Sequence, residues 1–249
     1  MAERLDAWLS HRGFGTRSEA RNLVRGGVVT VDGLKVKDCG ARITGQVVRV
    51  HGDEVARRAD EVTLVLHKPV GWACSHDPRE APLIEELVPL AWAHLPLESA
   101  GRLDRDTSGL LVVTTDGELI HRLTNPRKKL IKRYRIRYRG QLSGKAIERC
   151  ALGMQLEGDP KPTMPAKLVL DRTIADGESL ATLHLSEGRY HQVRRMIAAL
   201  GGEVVGLHRD RIGRFELPSD LAAGALRPIE PRELDALMMA EDEPPARVI

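Results

Sequence analysis

Apolar residues in the first 50 positions follow a helical spacing and then a strand spacing. The helical spacing predicts two helices, of which the second begins at a capping box formed by Thr16 and Glu19 and ends at Gly26-Gly27. Valines then alternate with polar residues on both sides of the turn Asp32-Gly33, which predicts short strands joined by tight turns. The first predicted helix places three apolar residues on one face: Leu5, Trp8 and Leu9. The pattern indicates a small module of two helices followed by strands.

From Val62 onward, short apolar runs alternate with a few helices, which indicates an α+β fold. One run, residues 110–113, is rich in branched side chains and is closed by the turn dipeptide Asp116-Gly117, so it predicts a buried strand. A helix is predicted from about His191, and Gly201-Gly202 ends it. Its apolar residues form one stripe that is expected to be buried: Val193, Met196, Ile197 and Leu200. Further strands are predicted at VTLVL, IKRYRIRYR and ATLHLS.

The predicted domain boundaries follow from composition. Residues 56–61 are charged and lack apolar content, so they are interpreted as a linker between an N-terminal domain (1–55) and a larger domain (62–240). Residues 241–249 are interpreted as an acidic tail without a fixed structure. The 249 residues, 42% of them hydrophobic, are sufficient for two separate cores.

Charge is distributed unevenly along the chain. Residues 1–215 carry 35 basic and 27 acidic residues, a net charge of +8, whereas the whole chain has a formal net charge of only +3. A basic body with an acidic tail suits a polyanionic partner such as a nucleic acid. Three basic residues recur every four positions on the second predicted helix, and we call them the arginine stripe: Arg17, Arg21 and Arg25. Lys35 extends this basic surface, although a solvated helix face explains the stripe equally well.

Other chemistries find no support in the sequence. Cys39, Cys74 and Cys150 are far apart and form no Cys-x-x-Cys or Cys/His cluster, so neither a disulfide framework nor a metal site is predicted. The motifs of P-loop nucleotide hydrolases, dinucleotide oxidoreductases and zinc peptidases do not occur. The charged N-terminus and the absence of a long apolar segment predict a cytoplasmic protein that does not associate with membranes.

Eight basic residues and no acidic one occupy positions 127–139. Read with the period of a strand, Tyr134 lies on one face, and the other face carries a set that we call the arginine row: Arg133, Arg135, Arg137 and Arg139. Such a density of positive charge predicts a nearby anion, for example RNA phosphates. An edge strand that uses charge to prevent pairing with another chain is an equally good explanation.

Asp104 is the candidate catalytic carboxylate. It lies in the polar loop AGRLDRDTSG directly before the predicted buried strand, and Arg102 and Arg105 favour its ionised form. Arg194 and Arg195 fall in the first turns of the helix that begins near His191, where the helix dipole disfavours cations. They therefore require a compensating carboxylate or phosphate. His191 and His208 have no nearby nucleophile or metal-ligand pattern and are interpreted as structural.

Four segments, in this order along the chain, resemble the motifs of the pseudouridine synthases that modify ribosomal RNA. They are HKPVG (67–71), GRLDRDTSGLL (101–111), KRYRI (132–136) and EGRYHQVRRM (187–196). LHRDRIG (207–213) is similar to the branch of the family that acts on small-subunit RNA. The pattern RLDAWLSHRGFGTRSEARNLVRGGVVTVDG resembles the RNA-binding domain first recognised in a small-subunit ribosomal protein. The resemblance implies a catalytic domain built on a mixed, mainly antiparallel sheet.

The resemblance also implies roles for individual residues. Asp104 is implied to be catalytic, Tyr134 to lie beneath the target base, and Arg194 to pair with Asp104, with Arg195 as a rival for that pairing. Substrate binding is predicted for Arg102, Lys132, Gln192 and Arg195. RNA binding is predicted for Arg17, Arg21, Arg25, Lys35, Arg133 and Arg135.

The resemblance therefore implies an enzyme that isomerises one uridine of small-subunit ribosomal RNA, either free or in a pre-ribosomal particle. It is expected to act as a monomer without cofactor or metal. Base flipping precedes the chemistry, in which Asp104 either attacks the ribose or assists departure of uracil. Two alternatives remain open: a synthase for large-subunit RNA, and a ribosome assembly factor that binds RNA without catalysis.

Overall fold

The computed structural model describes residues 3–12, 14–44, 46–55, 61–93 and 95–240. Contacts within the chain divide it into two compact units, with the boundary between residues 61 and 62. Most of the predicted linker and all of the predicted tail, residues 56–60 and 241–249, lie outside the described residues. The two units are described separately.

The N-terminal unit contains the two predicted helices and short strands. The helices are α1 (Leu5–His11) and α2 (Arg17–Arg25). The strands are β1 (Glu3–Arg4), β2 (Val29–Val31), β3 (Leu34–Lys35), β4 (Arg42–Ile43), β5 (Val48–Val50) and β6 (Asp53–Glu54). Among the described residues, β3-β2-β5-β6 form one sheet, and β1 pairs with β4.

The local signals in this unit act as the sequence predicted. The Thr16 hydroxyl accepts a hydrogen bond from the Glu19 amide (3.3 Å), and the Glu19 carboxylate accepts one from the Thr16 amide (2.6 Å), so the capping box is confirmed. The buried faces of α1 and α2 pack against the inner valines of the sheet and Ile43. Removal of this apolar surface from water drives folding of the unit.

The C-terminal unit is built on one large sheet. Its strands are β7 (Thr63–Lys68), β8 (Glu98–Ser99), β9 (Thr107–Thr114), β10 (Lys132–Gly140), β11 (Lys167–Thr173), β12 (Glu178–Leu185), β13 (Gly202–Ile212), β14 (Phe215–Glu216) and β15 (Leu226–Pro228). Its helices are α3 (Gly117–Thr124), α4 (Ala146–Leu152), α5 (Gln192–Ala199) and α6 (Pro231–Met238). Short 3₁₀ turns lie at Pro78–Glu80, Ile84–Leu87, Pro126–Lys128 and Ala175–Gly177.

The strand order of the sheet is β11-β12-β10-β13-β9-β7-β15, with β8 paired to β9 and β14 paired to β13. Of the strand pairs in the described residues, β9 with β13 is parallel and the others are antiparallel. The predicted α+β fold with a mixed, mainly antiparallel sheet is confirmed. β10 pairs on both sides, so the interpretation of its charges as protection of an edge strand is wrong.

Strand β9 explains why the run from Leu110 to Val113 is continuously apolar. Leu111 and Val113 face one core of the unit, whereas Leu110 and Val112 face a second core on the other side of the sheet. A strand covered on both faces has no solvent side, so it shows no alternation of polar and apolar residues. The loop that carries Asp104 therefore leads into one of the most buried strands of the fold.

Two details differ from the predicted elements. Asp116 does not form a simple turn after β9, because its carboxylate accepts hydrogen bonds from the amides of Glu118 (2.9 Å) and Leu119 (3.0 Å) and thereby caps α3. Helix α5 begins at Gln192, one residue later than predicted, because His191 adopts a left-handed conformation (φ 48°). The predicted apolar stripe of α5 is buried as expected: Val193, Met196, Ile197 and Leu200.

Candidate active site

A cavity of about 650 Å³ opens in the C-terminal unit, and we call it the Asp104 cavity. Its wall comes from the loop before β9, the start of β10, the segment before α5 and the middle of β13. Five of the predicted catalytic and substrate-binding residues line it together: Arg102, Asp104, Lys132, Tyr134 and Gln192. The fold thus brings to one place residues from three of the segments that carry the family resemblance.

The loop before β9 holds Asp104 at the wall of this cavity. Leu103 is buried beside it, and the Thr107 amide donates to the Asp104 carbonyl oxygen (3.0 Å). The Asp104 side chain is 33% exposed, and its Oδ1 lies 3.6 Å from Nε2 of His191. This carboxylate is accessible to a substrate, while its backbone is fixed.

Lys68, at the end of β7, holds the same loop from below the surface. Its side chain is fully buried, and burial lowers its pKa. The ammonium group donates to the carbonyl oxygens of Asp104 (3.1 Å) and Thr107 (2.7 Å) in the loop, and to that of Pro69 (3.1 Å) in its own segment. The buried ammonium group thus donates to several backbone carbonyl oxygens at once and fixes the path of the loop.

Tyr134, Lys132 and Arg209 line another part of the cavity wall. Tyr134 is 8% exposed and Arg209 is 2% exposed, and the two residues are register partners on β10 and β13. Burial and the nearby charge of Arg209 lower the pKa of Lys132 to about 8. Two cations thus lie close together beside an aromatic ring.

Arg194 does not pair with Asp104, which corrects the predicted ion pair. Its Nη2 lies 2.7 Å from the carboxylate of Asp106, and its Nη1 donates to the carbonyl oxygen of Val204 (3.2 Å). Asp106 is two residues beyond Asp104 in the same loop, and the turn of the chain there aims Asp106 at α5. Arg194 therefore joins the Asp104 loop to α5 and β13.

Arg195, the predicted rival, does not pair with Asp104 either and does not line the cavity. It binds the Asp159 carboxylate (2.6 Å) and the Glu157 carbonyl oxygen (2.6 Å). Both arginines in the first turns of α5 are thus compensated by protein carboxylates, as the sequence required. The partners were not identified because they come from other segments of the chain.

Gln192 lines the cavity, but its amide is used within its own segment. Its Nε2 donates to Glu187 (2.8 Å), and its Oε1 accepts from the amide of Arg189 (2.9 Å). Arg189 in turn binds Asp159 (2.8 Å). These contacts hold the turn before α5, which carries His191 to its place near Asp104.

The cavity is also lined by polar and aromatic side chains that were not predicted as site residues, among them Tyr190, His191 and Arg209. The rings of Tyr190 and His191 stack with centroids 3.8 Å apart, and Tyr190 is 78% exposed. An exposed aromatic residue beside a histidine within a recognised motif was the available signal for the first two. Arg209 gave no comparable signal. Its position at the cavity follows from its pairing with Tyr134 in the sheet, and the sequence does not show this pairing.

The arginine row finds its anions inside the protein. Asp210 on β13 binds both Arg133 and Arg135 at 2.8 Å, and Glu178 on β12 binds Arg137 (3.2 Å) and Arg139 (2.8 Å). The prediction that the row requires a nearby anion is therefore satisfied without RNA. The Arg135 side chain remains 51% exposed, whereas that of Arg133 is 14% exposed.

The arginine stripe of the N-terminal unit is organised by Asp6. This buried carboxylate on α1 contacts Arg17 (3.3 Å) and Arg21 (2.8 Å) on α2, and Arg4 (3.1 Å) on β1. Arg25 and Lys35 are exposed. Asp6 neutralises one of three half-exposed guanidinium groups, so the cluster keeps a positive charge.

We predict that Asp6→Asn destabilises the N-terminal unit and removes a pH dependence. Hydrogen bonding to Arg4 and the other arginines lowers the pKa of Asp6 below its usual 3.8. The ionised form stabilises the folded unit, so this contribution is complete above about pH 4 and is lost as the pH falls further. The substitution is expected to lower the free energy of unfolding by about 2 kcal/mol at neutral pH.

Hydrogen exchange of the α1 and α2 amides in the full chain, at several pH values, measures this effect. Asp53→Asn, an exposed position in the same unit, is the control and should leave exchange unchanged. Equal protection of the wild type and Asp6→Asn at neutral pH would contradict the prediction.

Comparisons with known proteins agree with this geometry. Residues 62–199 match the RNA pseudouridylate synthase family, and residues 3–48 match the S4 domain. A ribosomal small subunit pseudouridine synthase A from Pasteurella multocida is 39% identical over 236 residues, which cover 93% of this chain and 97% of that protein. The chain belongs to the RNA pseudouridylate synthase family. It is therefore an isomerase that carries an S4 domain at its N-terminal end.

Other members of the RNA pseudouridylate synthase family are similar over the same length. A ribosomal small subunit pseudouridine synthase A from Escherichia coli (strain K12) is 37% identical, with 94% of this chain and 100% of that protein covered. The crystal structure of a pseudouridylate synthase superposes with a TM-score of 0.65 at 36% identity and covers 94% of this chain and 99% of that chain. Among the described residues, no helix has the length and apolar character needed to cross a bilayer.

Proposed function

We propose that this enzyme converts one uridine of small-subunit ribosomal RNA to pseudouridine, with Asp104 as its catalytic carboxylate. The observation that carries the proposal is the Asp104 cavity, where a fixed carboxylate, a buried tyrosine, the buried guanidinium of Arg209 and the partly buried ammonium of Lys132 meet. The similar proteins from Pasteurella multocida and Escherichia coli, both named for the ribosomal small subunit, support the choice of RNA.

The reaction exchanges one bond for another without net gain or loss of atoms. The bond between ribose C1′ and N1 of uracil breaks, a bond between C1′ and C5 forms, C5 releases a proton and N1 takes one up. The uridine first leaves its stack, at a cost of a few kcal/mol. Tyr134 then receives the base in the cavity, and the unprotonated Asp104 either attacks C1′ or assists departure of uracil.

The remaining site residues divide into those that hold the machinery and those that meet RNA. Arg194, Arg195 and Gln192 hold the Asp104 loop and the turn before α5 in place. Lys132 binds substrate from the cavity wall, and the exposed Arg102 binds a phosphate at the cavity mouth. Further RNA contacts come from an exposed set: Arg17, Arg21, Arg25, Lys35 and Arg135, with the less exposed Arg133 beside them.

We predict that the reaction slows above pH 8 because Lys132 loses its charge. With its pKa near 8, Lys132 is an ammonium below that pH and is largely neutral at pH 9. The protonated fraction falls from about a half at pH 8 to about a tenth at pH 9, so a contact that requires the ammonium should weaken roughly fivefold over this interval. Single-turnover rates from pH 6 to pH 10 measure this. Lys132→Arg keeps its charge and should abolish the decline, and a wild-type rate that stays constant to pH 9.5 would contradict the prediction.

The full proposal places a monomeric enzyme in the cytoplasm, where it acts on ribosomal RNA or a pre-ribosomal particle. Pseudouridine mapping of ribosomal RNA from cells with and without this protein tests it. One small-subunit pseudouridine should disappear with the protein, and the purified enzyme should restore it in isolated RNA or in particles. Loss from large-subunit RNA would instead establish the large-subunit alternative, and unchanged maps with defective ribosome assembly would establish a non-catalytic role.

A further inference from the structure

Two buried donors that line the Asp104 cavity have no hydrogen-bond partner within the described part of the chain. They are the hydroxyl group of Thr107, which is 1% exposed, and Nη2 of Arg209, which is 2% exposed. A buried polar group without a partner costs about 1 to 3 kcal/mol, and more when it is charged. Because two such donors line one cavity, the cavity is suited to a ligand that supplies a hydrogen-bond acceptor.

The parallel pairing of β9 and β13 brings these donors together. Leu207 is the register partner of Thr107, and two residues further on Arg209 is the partner of Gly109. A Cβ at Gly109 would overlap the carbonyl oxygen of Arg209, so only glycine permits this approach of the strands. The Arg209 guanidinium is also anchored, because its Nε donates to the carbonyl oxygen of Leu110 (3.0 Å).

The charges around these donors favour an acceptor that becomes negative. Within the described residues Arg209 has no carboxylate within ion-pair distance, whereas the partly buried Arg133 and Arg189 each have one. The nearby Lys132 adds a second positive charge, and its pKa is lowered by burial and by the charge of Arg209. Preorganised donors in a buried site stabilise developing negative charge more strongly than water does.

We propose that Thr107 and Arg209 donate hydrogen bonds to a carbonyl oxygen of the flipped pyrimidine and stabilise the negative charge that it acquires when the C1′–N1 bond breaks. The electron pair of that bond stays on the base and spreads onto its carbonyl oxygens. The inference rests on the proposed function, to which it adds a binding site for the departing base. This site consists of the Arg209 guanidinium and the Thr107 hydroxyl. Its role differs from the roles proposed for Asp104 and Tyr134.

Depth in the cavity selects a base oxygen over a phosphate. The RNA backbone must remain at the mouth, where the exposed side chains of Arg102 and Arg105 are available. Thr107 and Arg209 are almost completely buried and lie beside Tyr134, so a flat uncharged ring reaches them more readily than a solvated phosphate. The same donors would bind a phosphate oxygen, so the test must separate the two sources.

The test combines variants that lack one hydrogen-bond donor with uridine substrates in which one carbonyl oxygen is replaced by sulfur. Arg209→Met removes the guanidinium, Thr107→Val removes only the hydroxyl, and Arg137→Met is the matched control on the solvent side of the same sheet. Single-turnover rates and RNA affinities are measured with target uridine, 2-thiouridine and 4-thiouridine, because sulfur is a weaker acceptor than oxygen. Thermal unfolding of every variant is followed in parallel.

Arg209→Met is expected to lower the rate about 10² to 10³-fold and Thr107→Val about tenfold, with RNA affinity within about threefold of wild type. The penalty should shrink at least fivefold for one of the two thio substrates, which identifies the contacted oxygen. Thr107→Val should unfold at the wild-type temperature or above, because it removes a buried polar group without a partner. A purely structural role would instead lower the unfolding temperature.

The outcomes separate this inference from the proposed function. An active wild type with an equally active Arg209→Met variant overturns the inference and leaves the proposed function intact. If Arg209→Met binds RNA more weakly, but the single-turnover rate of the bound RNA is unchanged and the loss of affinity is equal for all three substrates, the contact is to a phosphate. This result also overturns the inference. A wild-type enzyme that forms no pseudouridine in any ribosomal RNA overturns the proposed function and this inference together.

Discussion

Asp104→Asn is expected to abolish pseudouridine formation while the protein still folds and binds RNA. Asparagine has the shape of aspartate but carries no charge, so it neither attacks C1′ nor supports charge that develops there. The rate should fall on the order of 10⁴-fold or more, as is typical for the loss of a catalytic side chain that acts in covalent chemistry. Single-turnover assays on small-subunit RNA measure the rate, and filter binding measures RNA affinity.

A matched control makes the result specific to the cavity. Asp176→Asn is the same chemical change at an exposed position between β11 and β12, where the residue is left-handed (φ 62°) and asparagine is well tolerated. It should keep the wild-type rate. An Asp104→Asn variant with more than a tenth of the wild-type rate would rule out Asp104 as the catalytic carboxylate.

Lys68→Met is expected to show the second large effect, on both stability and rate. Methionine fills a similar volume but takes the ammonium donor away from the carbonyl oxygens of Thr107, Asp104 and Pro69, of which that of Asp104 keeps the Thr107 amide. The cost should be about 2 to 4 kcal/mol in the free energy of unfolding of the C-terminal unit. A small displacement of the loop should in addition slow the reaction about 10²-fold, because catalysis requires accurate placement of Asp104.

Denaturant titration measures the first effect, and single-turnover rates well below the unfolding transition measure the second. Lys167→Met removes an exposed lysine at the start of β11 and should change neither quantity. If Lys68→Met were as stable and as fast as the wild type, the buried ammonium would not be what positions the loop.

Periodic features of the fold were predictable from the sequence because they depend on near neighbours. The buried run from Leu110 to Val113, the capping box of α2 and the apolar stripe of α5 each follow from spacing within about ten residues. The family resemblance extended this to the positions of Asp104 and Tyr134, and both line one cavity. Local pattern and motif together were thus sufficient to locate the site.

Contacts between distant segments were not predictable, because they depend on strand register and loop path. The ion pair of Arg194 goes to Asp106 and not to Asp104, although only two residues separate the carboxylates. Asp6 and Lys68 gave no sequence signal, since their partners become neighbours only in the folded chain. Arg209 was missed for the same reason: its isolation from carboxylates is a property of the sheet.

Because the arginine row is paired with carboxylates of the protein, it should contribute little to the dependence of RNA affinity on ionic strength. An RNA phosphate releases its bound potassium or sodium ions only when a free cationic side chain of the protein binds to it. Asp210 and Glu178 already occupy the four guanidinium groups of β10, so these contribute less than their number suggests. The dependence of affinity on salt should accordingly reflect the cations that have no carboxylate partner among the described residues, such as Arg25, Lys35 and Arg102, more than the total count of basic residues.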